Sequence, residues 1–217
     1  MTTSLKIDFV SDVSCPWCVV GLKSLEQALQ RVAGSITAEL HFQPFELNPH
    51  MAPEGEDTTE HLARKYGSTP AQAAATKENI RARGAELGFT FNLGQRNRIY
   101  NTFDAHRLLH WAELEGHQHA LKQALFDAYF THGQNPSDHS LLVQVAEHVG
   151  LDPVRAREIL ESDAFAEEVR EREQFYTGQG IRSVPAIVIN DRHLISGGQP
   201  PEVFEQALRQ IAADNGN

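Results

Sequence analysis

Ser11-Asp12-Val13-Ser14-Cys15-Pro16-Trp17-Cys18 holds both cysteines of the chain. It lies where a strand pattern gives way to a helical one. On its N-terminal side, Leu5, Ile7 and Phe9 alternate with Lys6 and Asp8, the two-residue period of a strand. On its C-terminal side, Val19, Leu22, Leu25, Ala28 and Leu29 recur at three- and four-residue steps, the period of a helix. Cys15 is therefore expected at a helix N-terminus. Pro16 then falls at an early helical position, where its missing N–H costs nothing. Unpaired backbone N–H groups and the positive end of the helix dipole favour negative charge there, so a Cys15 thiolate is stabilised over the thiol. Cys18 follows three residues later, about one turn on, near enough to close a small disulfide ring. An exposed attacking sulfur with a buried resolving one is the minimal equipment for thiol–disulfide exchange.

Two plainer readings compete. A C-x-x-C pair can be half of a zinc site, but the chain has no second pair, so histidines would have to complete it. Only His106 and His110 stand at a close helical spacing. Two incidental cysteines are the other alternative. Bulk properties narrow the field further. The chain has 217 residues, enough for a sizeable core, and a formal net charge of −10, which argues against nucleic acid or an anionic membrane as partner. Its 11 histidines would shrink that charge in mild acid. No apolar run approaches membrane-spanning length, and no signal-peptide pattern precedes the first strand. The expected localisation is cytoplasmic, where such a pair is more often catalytic than structural.

Further along, the first helix is expected to reach Val32, with Gly34 as its stop. Thr37 to Phe45 reads as a second strand, parallel to the first across a right-handed βαβ crossover. Phe45-Glu46-Leu47-Asn48-Pro49 reads as a strand leaving the sheet. From about Thr58 to Tyr176 the pattern is almost wholly helical. Thr59 is expected to cap a helix through Tyr66. Thr69-Pro70-Ala71-Gln72 is a capping box opening a helix to Leu87. Further helices are expected over Arg98–Glu115 and Gln118–Thr131, after Asp138, after Asp152 and from Ser162 to Tyr176. Val184 to Asn190 and His193 to Ser196 then make a hairpin about an Asn190-Asp191 turn, ended by Gly197-Gly198. Pro200-Pro201 opens a last helix. The outcome is an α/β fold. Residues 1–52 and 177–217 form a mixed sheet with helices, and residues 53–176 form a large all-helical insertion domain.

Cys15-Pro16-Trp17-Cys18 after a first strand, Ser183-Val184-Pro185-Ala186 opening a late hairpin and Gly197-Gly198 closing it together resemble the thioredoxin superfamily. The helical insertion resembles its DsbA-like branch. The Phe9-to-Cys18 opening and Asn101-Thr102-Phe103-Asp104-Ala105-His106-Arg107 resemble the FrnE-like cytosolic subgroup. The resemblance implies a thioredoxin-like fold, Cys15 as nucleophile, Cys18 as resolving cysteine and Pro185 as a cis-proline facing them. Backbone groups of Val184 beside the sulfurs would let an extended substrate add by hydrogen bonding. Trp17 could form an apolar lip for substrate. Between the cysteines stands Pro-Trp, where thioredoxin-type proteins have Gly-Pro and DsbA-type proteins Pro-His, so no histidine within the motif stabilises the thiolate. Asp12 is read as a proton relay or a turn cap. His106 and His110 could approach the site from the insertion, and Asn101 and Arg98 could contact substrate.

The leading expectation is a protein disulfide oxidoreductase or isomerase working through a mixed disulfide on Cys15. Its partners would be protein or small-molecule thiols and disulfides. No cofactor is expected beyond the disulfide itself, with glutathione a candidate co-substrate. The oligomeric state stays open. A second reading is a glutathione-dependent isomerase or transferase on small aromatic or polyketide-like substrates. The same scaffold serves chromene-carboxylate isomerases and kappa-class glutathione transferases, which commonly carry serine in place of the first cysteine. A third is a holdase-like binding module with an apolar cleft between insertion and sheet.

Overall fold

The computed structural model describes residues 2–94 and 98–214; the outer limits Met1 and Asn217 lie outside the described residues. Strand β1 (Thr3–Ser11) runs into helix α1 (Pro16–Val32), and the chain returns through β2 (Ile36–Pro44), parallel to β1 and in register from Thr3↔Ile36 to Ser11↔Pro44. The late hairpin is β5 (Ala186–Ile189) and β6 (His193–Ser196). Its connection is the three residues 190–192 between the paired Ile189 and His193, and Asn190 and Asp191 both have positive φ, 53° and 54°, as the centre of a tight turn of this hand requires. β5 lies antiparallel beside β1, so the sheet order is β2-β1-β5-β6, with helix α9 (Pro201–Asp214) following.

Alternation along β1 decides its two faces. Leu5, Ile7 and Phe9, all fully buried, join Val19, Leu22 and Leu25 of α1 and Phe204 and Leu208 of α9 in one core. Each such side chain is worth about 1.5–3 kcal/mol when fully buried. The opposite face is covered too. Val10 and Ala186 pack there with Tyr176 and Ile181. Asp8 is consequently buried, accepting a hydrogen bond from Gln43 Nε2 at 2.6 Å. A polar residue in a strand pattern suggested a wet face; helical cover makes it a buried, paired one.

Between β2 and β5 come β3 (Glu56–Asp57), α2 (Thr58–Tyr66), α3 (Pro70–Glu86), β4 (Arg98–Ile99), α4 (Phe103–Leu114), α5 (Gln118–Phe126) continued by a π-helical turn (Asp127–Thr131), α6 (His139–His148), α7 (Pro153–Leu160) and α8 (Ala166–Gly178). The expected capping box at Thr69 and Gln72 is formed, and Asp138 and Asp152 cap α6 and α7. Five details differ from expectation. Residues 45–49 form no strand. The α2 cap is Asp57, which accepts from the N–H groups of Thr59 and Glu60, not Thr59. Gly34 is not a left-handed stop; Ala33 caps α1 in ordinary helical geometry. Arg98 and Ile99 pair with Asp57 and Glu56 as a two-stranded ribbon, so α4 starts at Phe103. Finally, α8 starts at Ala166, after Phe165 in the left-handed region (φ 62°), not at Ser162.

The cores do not follow the division read from the sequence. Ile80, Phe89, Phe91, Phe126, Tyr129 and Phe130 come from the helical segment, yet they belong to the same core as β1, α1 and α9. A second core is built from α4 to α7, with Val13 of the motif turn inserted into it. Among the described residues, no helix is long and apolar enough to cross a membrane.

Candidate active site

The turn from β1 to α1 is built by Asp12. Its Oδ1 accepts from Ser14 N at 3.1 Å and from Thr102 Oγ1 at 2.8 Å; its Oδ2 accepts from Ser14 Oγ at 3.0 Å and from Leu47 N at 2.7 Å. The turn-capping reading of Asp12 is thus the one the geometry favours, and the same carboxylate ties in the loop after β2 and the start of α4. Its burial alone would raise its pKa. The facing His106 and the backbone N–H groups of Leu47 and Ser14 outweigh that and hold it at about 2. At neutral pH it is a fixed negative charge, unsuited to relaying protons.

Cys15 is the N-cap residue of α1, with extended backbone (φ −93°, ψ 112°) and Pro16 after it, and the first turn carries no acidic side chain. Both cysteines are thiols. Cys15 Sγ donates to the carbonyl oxygen of Val184 at 3.7 Å, across 169 residues of sequence. The Val184–Pro185 peptide bond is cis. Trp17 and Val184 are half-buried at the rim, while Pro185 is buried. Cys15, expected as an exposed sulfur, is buried: the residue is 4% exposed, because the Val184–Pro185 segment packs over it, while Cys18 is fully buried as expected.

The two thiols are driven apart electrostatically. The Cys18 S–H group, hydrogen-bonding to the Cys15 sulfur, is the main influence lowering the Cys15 pKa. Burial and the Asp12 charge oppose it, and the N–H groups of Cys18 and Trp17 assist it. Cys18 is pushed well up, first by burial and then by the negative charge developing on Cys15. One sulfur is a thiolate in waiting, the other a thiol that must lose its proton before it can react.

α1 can approach the hairpin this closely because two glycines face each other. A Cβ on Gly21 would stand 2.9 Å from Pro185 Cγ, and a Cβ on Gly198 would stand 3.0 Å from the Trp17 carbonyl oxygen. Gly198 was visible in the sequence only as a hairpin stop, and Gly21 was not singled out.

The remaining expected residues separate. His106 does reach the site from α4: it is buried, with Nε2 at 3.6 Å from Asp12 Oδ1. His110 does not; one turn further on, it packs against the Phe165 ring at 5.3 Å between centroids. Asn101 is engaged in structure, accepting from Phe103 N at 2.9 Å and donating to Glu46 Oε2 at 3.1 Å. Arg98 donates to the carbonyls of Glu54 and Gly55, both at 2.9 Å, so neither is free for substrate. Among the described residues no three His, Cys, Asp or Glu side chains converge as a metal site. Histidines 41, 61, 119 and 139 each face a carboxylate.

Lys65 and Tyr66 lie at the end of α2. Lys65 donates to Leu47 O and Asn48 Oδ1, both at 2.8 Å, and Tyr66 is exposed. Two cavities, of about 440 and 350 Å³, lie within the helical segment. They are lined by residues such as Val143, Arg157 and Leu160, and by Trp111, Leu151 and Arg155, away from both sulfurs.

The model of the DSBA-like thioredoxin domain matches residues 6–209. A solved structure from Streptomyces coelicolor, described as a probable DsbA oxidoreductase, is 35% identical; the match covers 95% of this chain and 89% of that one, with a TM-score of 0.88. YwbO of Bacillus subtilis, an uncharacterized protein, is 28% identical over 96% of both chains. A 2-hydroxychromene-2-carboxylate isomerase structure is 17% identical, with a TM-score of 0.70 over 97% of this chain and 98% of that one, a likeness of fold.

Proposed function

The chain belongs to the DSBA-like thioredoxin domain family, and from that premise we propose that it is a thiol–disulfide oxidoreductase acting through Cys15 and Cys18. The observation that carries the reading is the 3.7 Å contact between Cys15 Sγ and the Val184 carbonyl. It brings the helix-capping sulfur against the backbone on which an extended substrate would add.

In the reducing direction the Cys15 thiolate attacks a substrate disulfide. The Cys15–substrate S–S bond forms, the substrate S–S bond breaks, and the electron pair leaves on the second substrate sulfur. Cys18, once deprotonated, attacks Cys15 Sγ. The Cys15–Cys18 disulfide forms and the first substrate sulfur is released. The dithiol is oxidised by two electrons as the substrate disulfide is reduced. Run backwards, the same steps oxidise a substrate dithiol. Trp17 would offer an apolar lip beside the sulfur, and Val184 main-chain pairing would tolerate varied substrate sequences.

The Asn101-to-Arg107 stretch supports membership of the FrnE-like subgroup. In the cytosolic setting proposed for it, the glutathione pool keeps most dithiols reduced, favouring reductase or isomerase turnover. The test is reduction of insulin disulfides with a small thiol as electron source. We expect wild-type turnover, complete loss in Cys15→Ser and at least about a tenfold loss in Cys18→Ser. Full turnover in Cys18→Ser would instead support an isomerase or transferase chemistry that needs no resolving thiol.

A further inference from the structure

The stretch Asn101-Thr102-Phe103-Asp104-Ala105-His106-Arg107 stands out in the sequence, and the reaction described so far uses none of it. In the fold it opens α4 and turns two side chains onto one oxygen. Thr102 Oγ1 donates to Asp12 Oδ1 at 2.8 Å, and His106 Nε2 stands 3.6 Å from the same atom. Its other polar members are engaged elsewhere. Asn101 donates to Glu46, and Arg107 donates to the Ala164 carbonyl at 2.9 Å and to Asp104 at 2.8 Å.

Both partners are out of water: the His106 side chain is 2% exposed and that of Asp12 1%. A carboxylate so deeply buried is costly unless it is both hydrogen-bonded and paired with a cation. The N–H groups of Ser14 and Leu47 and the hydroxyls of Ser14 and Thr102 meet the first need, but all four are neutral. His106 makes the one ion-pair contact with Asp12 among the described residues. The need is mutual, because His106 Nε2 is buried with no hydrogen-bond partner among the described residues. From α8, Glu173 also acts on His106, and Glu173 is itself held by Arg170 at 2.7 Å.

The carboxylate belongs to the turn that delivers the reactive sulfur. The Asp12 carbonyl accepts from Cys15 N at 3.2 Å, and Asp12 Oδ1 accepts from Ser14 N, just before the cysteine. The turn therefore cannot be made in this way without a negative charge three residues from Cys15.

We propose that His106 is a positioning residue for the redox couple: as an imidazolium paired with Asp12, it offsets the charge that the turn requires and that a Cys15 thiolate opposes. This rests on the oxidoreductase reading and deepens it, by assigning a residue that fixes where the couple's equilibrium lies. The motif holds Pro-Trp and no histidine; the counter-charge comes instead from the inserted helices. In exchange with glutathione, the dithiol and one oxidised glutathione give the Cys15–Cys18 disulfide and two reduced glutathiones. Whatever stabilises the thiolate favours the dithiol side and raises the potential. Removing the imidazolium leaves Asp12 unopposed and moves the equilibrium toward the disulfide.

The test uses the full chain carrying His106→Gln, which keeps a polar side chain and removes the charge. Dithiol and disulfide are counted by mass across a series of glutathione ratios, and the Cys15 thiolate is titrated by its ultraviolet absorbance. The variant should shift the equilibrium at least about threefold toward the disulfide and move the thiolate titration to higher pH. In an Asp12→Asn background, with no charge to offset, the same change should shift the equilibrium less than about 1.5-fold. Thr102→Val removes a bond to the same oxygen without changing the charge, and should lower stability while shifting the equilibrium less than about 1.5-fold. His106→Asn serves if the glutamine variant does not fold. An unchanged equilibrium and titration in the folded variant overturns the inference. So does an equal shift in the Asp12→Asn background, or a shift as large in Thr102→Val, which would mean that turn geometry and not charge is responsible. Wild type that forms no Cys15–Cys18 disulfide at any glutathione ratio would instead overturn the oxidoreductase reading.

Discussion

Cys15 gains reactivity from what touches its sulfur more than from the residues between the cysteines. The motif carries Pro-Trp and no histidine, so its thiolate is supported by the Cys18 S–H, by N–H groups of Cys18 and Trp17, and by the start of α1. Asp12 works against it as a fixed negative charge. The balance leaves the Cys15 pKa below the ordinary thiol value and that of Cys18 well above it. Alkylation of the reduced protein by iodoacetamide should therefore label Cys15 selectively, with a rate that rises with pH and levels off below the range of a free thiol. Replacing Cys18 by Ala, which removes the S–H donor, should shift that profile upward, while Cys18→Ser, which keeps an O–H, should shift it less. Peptide mapping of the labelled cysteine over pH checks this, and equal labelling of the two sulfurs would contradict it. At this scale the cysteines, Trp17 and Pro185 were legible, because each belongs to a spaced pattern. Lys122 heads the i, i+4, i+8 row with Phe126 and Phe130, where an apolar residue would be expected, so its burial leaves only this break in the pattern as a sign in the sequence.

The elements show where local patterns compete with contacts far along the chain. Ile99 and Tyr100 continue the helical period of α4, yet Arg98 and Ile99 are drawn into pairing with Glu56 and Asp57. Asn101, whose side chain accepts from Phe103 N, marked the true start as a residue type suited to capping. The close approach of α1 to the hairpin is the feature that holds Val184 near Cys15, and it was illegible because neither glycine has a side chain to form a pattern. Gly21→Ala tests it. Alanine in a helix interior is favoured over glycine by up to about 1 kcal/mol. The added methyl, at 2.9 Å from Pro185 Cγ, meets a ring that cannot swing away, and overpacking of this kind costs about 1–3 kcal/mol. The net expectation is a loss of about 1–2 kcal/mol in urea unfolding, with turnover reduced because Pro185 moves off Cys15. A more stable, fully active variant would show that the contact does not set the site.

Across the whole molecule, the sheet order and the inserted helices were readable from the succession of alternating and helical periods. The joint between them was not. The first core draws Phe126, Tyr129 and Phe130 from the helical segment into the cluster that holds the cysteines, and the same segment supplies Thr102 and His106, which meet Asp12 of the motif turn. Such contacts depend on residues far apart in the chain, and no local pattern records them. The inserted helices thus pack into the surroundings of the cysteine pair. The central claim, that this environment serves thiol–disulfide exchange at Cys15, is tested most directly by trapping. Cys18→Ser protein, reduced and then exposed to oxidised glutathione, should accumulate a single stable adduct that maps to Cys15 and is released by added thiol. Wild type under the same conditions should pass through that adduct to the Cys15–Cys18 disulfide. No adduct, or an adduct at a residue other than Cys15, would contradict the account.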